Sequence, residues 1–158
     1  MMELAVDPGS TGLGWATFLP EYMTVYAAGT HDPSGSNYLE RSYNAACWVR
    51  KLILSQGVDT VYCEFPEFFQ DARGHAAMVN GSALKLTYNV GQIAMVAMDC
   101  NCKFQTFAPT TWKGQLPKDA VEQRIRRYLG EDVCKRLGLR SHAWDAVGIG
   151  LFAKGHKL

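Results

Sequence analysis

The stretch Leu4-Ala5-Val6-Asp7-Pro8-Gly9-Ser10-Thr11-Gly12 constrains the fold more than any other part of the chain, because an apolar run stops on a carboxylate and turns at once. One proline and two glycines within the next five residues mark a tight reversal, not a continuing strand or a helix interior. Leu13 to Phe18 then reads as a second strand and Met23 to Thr30 as a third, so the opening is an antiparallel meander. Asp7 therefore ends the first strand at its C-terminal edge, where a site can be built.

Further along, His31 to Asn37 is a Pro, Gly and Ser loop. Asn37 is positioned to cap a helix from Tyr38 to Gln56, whose apolar residues Leu39, Tyr43, Ala46, Val49, Leu52 and Ile53 recur at helical spacing, with Gly57 at its end. Thr60 to Glu64 is a short β-branched strand, and a strand reached through a helix suggests parallel pairing in the same sheet. Phe65 to Gly74 has no period and reads as an exposed loop. A long helix starts at Asn80 or Ser82 and runs through Ala97, Lys103 to Phe107 is a fifth strand, and Lys118 to Leu129 and Ser141 to Lys154 are helical. The expectation is one α/β domain over residues 1–158, with no repeat or linker.

Composition agrees with one core. With 158 residues, 47% hydrophobic and 20% charged, such a chain needs neither disulfide nor structural metal to fold. The odd set Cys47, Cys63, Cys100, Cys102 and Cys134 has no paired spacing, and the first residues lack the regions of a signal peptide, which points to a reducing cytosol. The longest apolar run, Ile93 to Met98, is far short of the ~20 residues of a membrane span, so no membrane partner is expected. Net charge is only +1, but it is polarised: residues 1–102 carry −5 and residues 103–158 carry +6. An acidic half can hold cations while a basic half meets a polyanion, although solvated helix faces give the same pattern.

Asp7 and Glu64 each end a strand. If those strands are parallel neighbours about 4.8 Å apart, the carboxylates repel and either share a proton or recruit a cation. Hard oxygen ligands of this kind suit Mg²⁺ or Mn²⁺. His142 and Asp145, three apart at the start of the last helix, share a face and can complete a site. Carboxylates and a His/Asp pair so arranged can support two ions about 3.5 to 4 Å apart, the arrangement suited to in-line phosphodiester hydrolysis. Alone, each piece has an ordinary reading: Asp7-Pro8-Gly9 as a turn, Asp145 as a cap, His142 as a surface histidine. Glu64 is harder to explain structurally, since it closes the apolar run Val61-Tyr62-Cys63.

Leu4 to Gly14 resembles the opening motif of RuvC-type Holliday junction resolvases. Tyr62-Cys63-Glu64 is similar to that family's second acidic position, Ser82-Ala83-Leu84-Lys85-Leu86 to the start of its long helix, and Ser141-His142-Ala143-Trp144-Asp145-Ala146 to its closing metal-binding helix. The resemblance spans nearly the whole chain. It implies a ribonuclease H-like fold with a five-stranded mixed sheet flanked by helices, a homodimer, Mg²⁺ or Mn²⁺ with no small-molecule cofactor, and paired symmetric nicks across four-way or branched DNA. It implies a cytoplasmic enzyme of a bacterium, or a phage enzyme acting in one. By position, Lys113 and Lys118 match basic residues near the scissile phosphate, and a lysine suits a phosphate oxygen that gains charge in the transition state. An aromatic just beyond the second acid is expected to insert into the junction centre. The candidates are Phe65, Phe68 and Phe69, with Phe68 or Phe69 preferred, and Arg73, His75 and Lys85 are further candidate DNA contacts.

Two departures matter, and one is an overall charge of +1, less basic than expected of a junction binder. His142 stands where many relatives carry an acid, and because a histidine ligand must be neutral, activity should fall as pH drops through ~6.5. Two rival classes remain at this point. An actin-like sugar kinase or ATPase opens similarly but needs a second domain, and a non-cleaving junction-binding module would not need both acids, the His/Asp pair and both lysines. Within nucleases, a broader flap or branch cutter shares the same chemistry.

Overall fold

The computed structural model describes residues 1–9, 11–19, 21, 24–67, 76 and 78–157. Three strands come first: β1 (Met2–Asp7), β2 (Leu13–Leu19) and β3 (Thr24–His31), paired antiparallel in sequence. Helix α1 (Tyr38–Gln56) starts where expected, with the Asn37 side chain accepting from the Glu40 amide at 3.0 Å. It stops at Gly57, whose φ of 64° closes the helix in the left-handed region that glycine adopts without strain.

That helix carries the chain back to β4 (Val58–Glu64), which pairs parallel with β1. A second long helix, α2 (Ser82–Asp99), leads to β5 (Lys103–Phe107), parallel to β4. The sheet order is β3-β2-β1-β4-β5, a five-stranded mixed sheet, as read from the sequence. Two short helices fall outside that reading: α3 (Pro109–Trp112) and α5 (Glu131–Leu137), on either side of α4 (Lys118–Leu129). Helix α6 (His142–Ala153) closes the fold.

Strand alternation sorts side chains onto two faces. Leu4, Val6, Leu13, Val61 and Cys63 point to one face, where α1 and α2 cover them. Ala5, Ala16, Phe18 and Tyr62 point to the other, against α4 and α6. By the same parity Asp7 and Glu64 belong to the α6 face, while Asn89 of α2 is buried and its amide reaches the Gly9 carbonyl at 3.5 Å. All five cysteines are free thiols. No helix among the described residues is long and apolar enough to cross a membrane.

Candidate metal centre

The register Val6↔Cys63 sets the ends of β1 and β4 side by side, which brings Asp7 and Glu64 to one edge of the sheet. Helix α6 enters the same edge from above. Its close approach depends on missing side chains: a Cβ on Gly14 would lie 2.1 Å from the His142 carbonyl oxygen, and one on Gly9 would lie 2.8 Å from the His142 ring. Neither glycine has a positive φ among the described residues, so the pattern after Asp7 serves helix seating as well as chain reversal.

Asp7, Glu64, His142 and Asp145 thus line one cleft of about 280 Å³ together with Pro8, Gly9, Pro66 and Leu86. His142 Nδ1 is 2.7 Å from an Asp7 oxygen, and since an ionised carboxylate only accepts, the ring donates. Asp7, His142 and Asp145 each offer a ligand atom, all within 4.8 Å of one another, and could hold a metal ion. Glu64 stands apart from this trio. One of its oxygens accepts from Trp112 Nε1 at 2.8 Å and lies 3.6 Å from Lys113 Nζ, while the same ammonium is 3.7 Å from Asp145.

The electrostatics are those of a site short of positive charge. Burial pushes the Glu64 carboxyl above its ordinary range and Asp7 adds to the rise, with Lys113 opposing it. Burial likewise raises Asp145, against the pull of Lys113. The hydrogen bond that the His142 ring donates to Asp7 raises His142, with burial working the other way. Three carboxylates and an imidazole crowd here around one lysine. The donor set, oxygen with one nitrogen, fits a Mg²⁺ or Mn²⁺ ion.

Lys118 is the first residue of α4, near enough for its charge to act on His142 and Asp145. Lys85 is not brought to the cleft: its ammonium stands over the Tyr38 ring, 5.9 Å from the centroid. Phe65 is half-buried and packs against the α1/α2 core, which makes it a core residue among the three aromatic candidates. Phe68, Phe69, Arg73 and His75 lie outside the described residues.

Sequence reasoning passed over Trp112, Asn89 and Ser141. Trp112 was discoverable in principle, since a buried indole N–H needs an acceptor and Lys113 is its neighbour. Ser141 holds φ 40° and ψ −120°, a conformation that disfavours side chains, in the turn that the Ala143 amide closes by donating to Arg140. Nothing in the local sequence marks that strain.

No protein-family model matches the chain, and neither does any curated protein sequence. Solved structures do. Thermus thermophilus RuvC superposes with a TM-score of 0.73 at 21% identity, covering 98% of this chain and 96% of that one. The chain has the RuvC fold. The same RuvC in complex with Holliday junction substrate gives 0.73 at 20% identity over 98% of this chain and 96% of that one. The yeast mitochondrial Holliday junction resolvase Ydc2 gives 0.61 at 14% identity, covering 97% of this chain and 76% of that one. The five-stranded mixed sheet flanked by helices, implied by the four matched segments together, is therefore the fold observed.

Proposed function

We propose that this chain is a divalent-metal-dependent DNA endonuclease that resolves four-way junctions by paired symmetric nicks. The observation that carries the reading is the meeting of Asp7, Glu64, His142 and Asp145 in one cleft, on a fold shared with two proteins whose names or substrates specify Holliday junctions. Asp7, His142 and Asp145 would hold one ion, and Asp7 with Glu64 a second. Bound Mg²⁺ or Mn²⁺ supplies Lewis acidity to the phosphodiester and acidifies the attacking water.

The protein's own groups do the rest. The Asp7 carboxylate accepts from His142 and fixes its ring. Trp112 holds Glu64 by its indole N–H, which fixes one oxygen of that carboxylate in the cleft lining. Lys113 sits between Glu64 and Asp145, where it can move to a phosphate oxygen as charge builds there, and Lys118 adds a second positive charge nearby.

Paired nicks require two such sites. Helix α2 presents Leu84, Tyr88, Gly91, Met95 and Met98 outward, spaced four, three, four and three residues apart. That is the seam spacing of a helix pair, and Gly91, open at its Cβ, lets two backbones approach. A second copy of the chain, meeting the first through α2 in a two-fold dimer, is the occupant that buries this stripe.

The test is incubation of purified protein with labelled four-way junction, flap, fork and linear duplex, in Mg²⁺ and in Mn²⁺. Symmetric nicks confined to the junction are expected. Equal cutting of flap and fork would replace junction resolution with broader branched-DNA cleavage, and no cutting of any substrate would overturn the nuclease reading.

A further inference from the structure

Beside the metal centre lies a second concavity of about 520 Å³ whose lining runs from Thr110 to Leu116 and on to Arg124, Phe152 and Lys157. A third, of about 480 Å³, is lined by Arg124, Arg127, Tyr128, His156 and Lys157. Because the two share Arg124 and Lys157, they form one continuous surface track. Lys113 begins it, the same residue whose ammonium lies 3.6 Å from Glu64 and 3.7 Å from Asp145. The track therefore starts at the centre where a phosphodiester would be cut.

Its chemistry is one-sided. Four cations line it, Lys113, Arg124, Arg127 and Lys157, and no Asp or Glu does. Among the described residues, no carboxylate lies within ion-pair distance of Arg124, Arg127 or Lys157. Arg126, on the same helix, shows the contrast: it pairs with Glu131 at 3.0 Å and stands over the Trp144 ring. Arg124 and Arg127 are three apart on α4 and share a face, so their charges add along one line. Tyr128 and His156 close the far end, joined by a 2.9 Å hydrogen bond between the phenol oxygen and the imidazole. Arg124, Arg127 and Lys157, exposed and without an ion-pair partner among the described residues, extend from Lys113 as a row of cations that fits a polyanion backbone.

We infer that the Lys113–Arg124–Arg127–Lys157 track grips the sugar-phosphate backbone of the DNA arm flanking the cut, through phosphate contacts that ignore sequence. The inference rests on the nuclease reading for its direction, but binding tests it without cleavage. Titrate fluorescein-labelled four-way junction and linear duplex with protein in EDTA, across a salt series, and read log Kd against log salt. Each phosphate contact contributes about 0.9 to the slope, so Arg124→Ala/Arg127→Ala/Lys157→Ala is expected to weaken binding and flatten the slope by about two to three.

Arg124→Lys/Arg127→Lys should keep the wild-type slope, because phosphate contact at these positions needs charge more than fork geometry. Arg41→Ala/Arg50→Ala/Lys103→Ala removes equal charge elsewhere and should leave the slope in place. A triple alanine variant with wild-type slope would overturn the track. So would an equal loss in the control variant, or a wild-type protein that binds neither DNA at low salt. Nuclease failure reads separately, as intact DNA in Mg²⁺ alongside normal binding in EDTA.

Discussion

His142 Nδ1 lies 2.7 Å from the Asp7 carboxylate although 135 residues separate the two. The contact decides how protons and metal compete for this centre. Hydrogen bonding to Asp7 raises the imidazole above its ordinary 6.5, so the metal-free ring holds its proton to higher pH than a free histidine. A ligand histidine must be neutral, and each ion bound through it releases that proton. Below the raised value, Mn²⁺ affinity should climb about tenfold per pH unit, then level off. Calorimetric titration across pH 5 to 9 reads this, and an affinity independent of pH would remove His142 from the ligand set.

The same shift has a sign for stability. A pKa raised in the folded state gives stability that is full below the unfolded value and lost as pH rises through the folded one. The metal-free protein should therefore lose melting temperature as pH rises from about 6.5 through that raised value, and His142→Asn should flatten this part of the profile. Scanning calorimetry in EDTA is the check.

Trp112 is buried and spends its indole N–H on Glu64. Replacing it with Phe keeps most of the volume and removes one hydrogen bond to a charged group, worth about 2 kcal/mol. We expect Trp112→Phe to lower stability by about that amount and to lower the nicking rate, with a larger Mn²⁺ requirement. A rate and metal dependence equal to wild type would show that Glu64 needs no such support.

How much of this was legible beforehand depended on whether the signal was local. Asn37, Gly57 and the strand at Thr60 to Glu64 announced themselves, because caps and β-branched runs act over a few residues. Asp7, Glu64 and the His142/Asp145 pair could be grouped because sheet parity and helix period fix where each points. Gly14 could not be understood that way: its role is set by the His142 carbonyl, a contact made only when α6 docks. The short helices α3 and α5 were missed for a related reason, since four and seven residues carry too little period to read.

Gly14 makes that docking testable. Adding a methyl group 2.1 Å from a backbone oxygen forces α6 away from β2, an overpacking cost of roughly 3 kcal/mol. Gly14→Ala should melt about 6 to 12 °C below wild type and bind Mn²⁺ more weakly. An unchanged melting temperature would mean that the helix is free to move.

Ser141 offers the opposite change. Its strained turn favours glycine, so Ser141→Gly should raise stability by about 1 kcal/mol. Chemical denaturation measures it, and destabilisation would show that the strain is compensated elsewhere.

The α2 stripe predicts assembly. Wild-type protein should sediment as a dimer at micromolar concentration, and Met95→Glu, which puts a charge in the exposed seam, should give folded monomer. A wild-type monomer would remove the paired-nick part of the proposal.

Anomalous diffraction from crystals soaked in Mn²⁺ bears on the metal centre most directly. The expected result is density in contact with Asp7, His142 and Asp145, absent in Asp7→Asn. Crystals that bind Mn²⁺ elsewhere, with Lys113 still bridging Glu64 and Asp145, would contradict it.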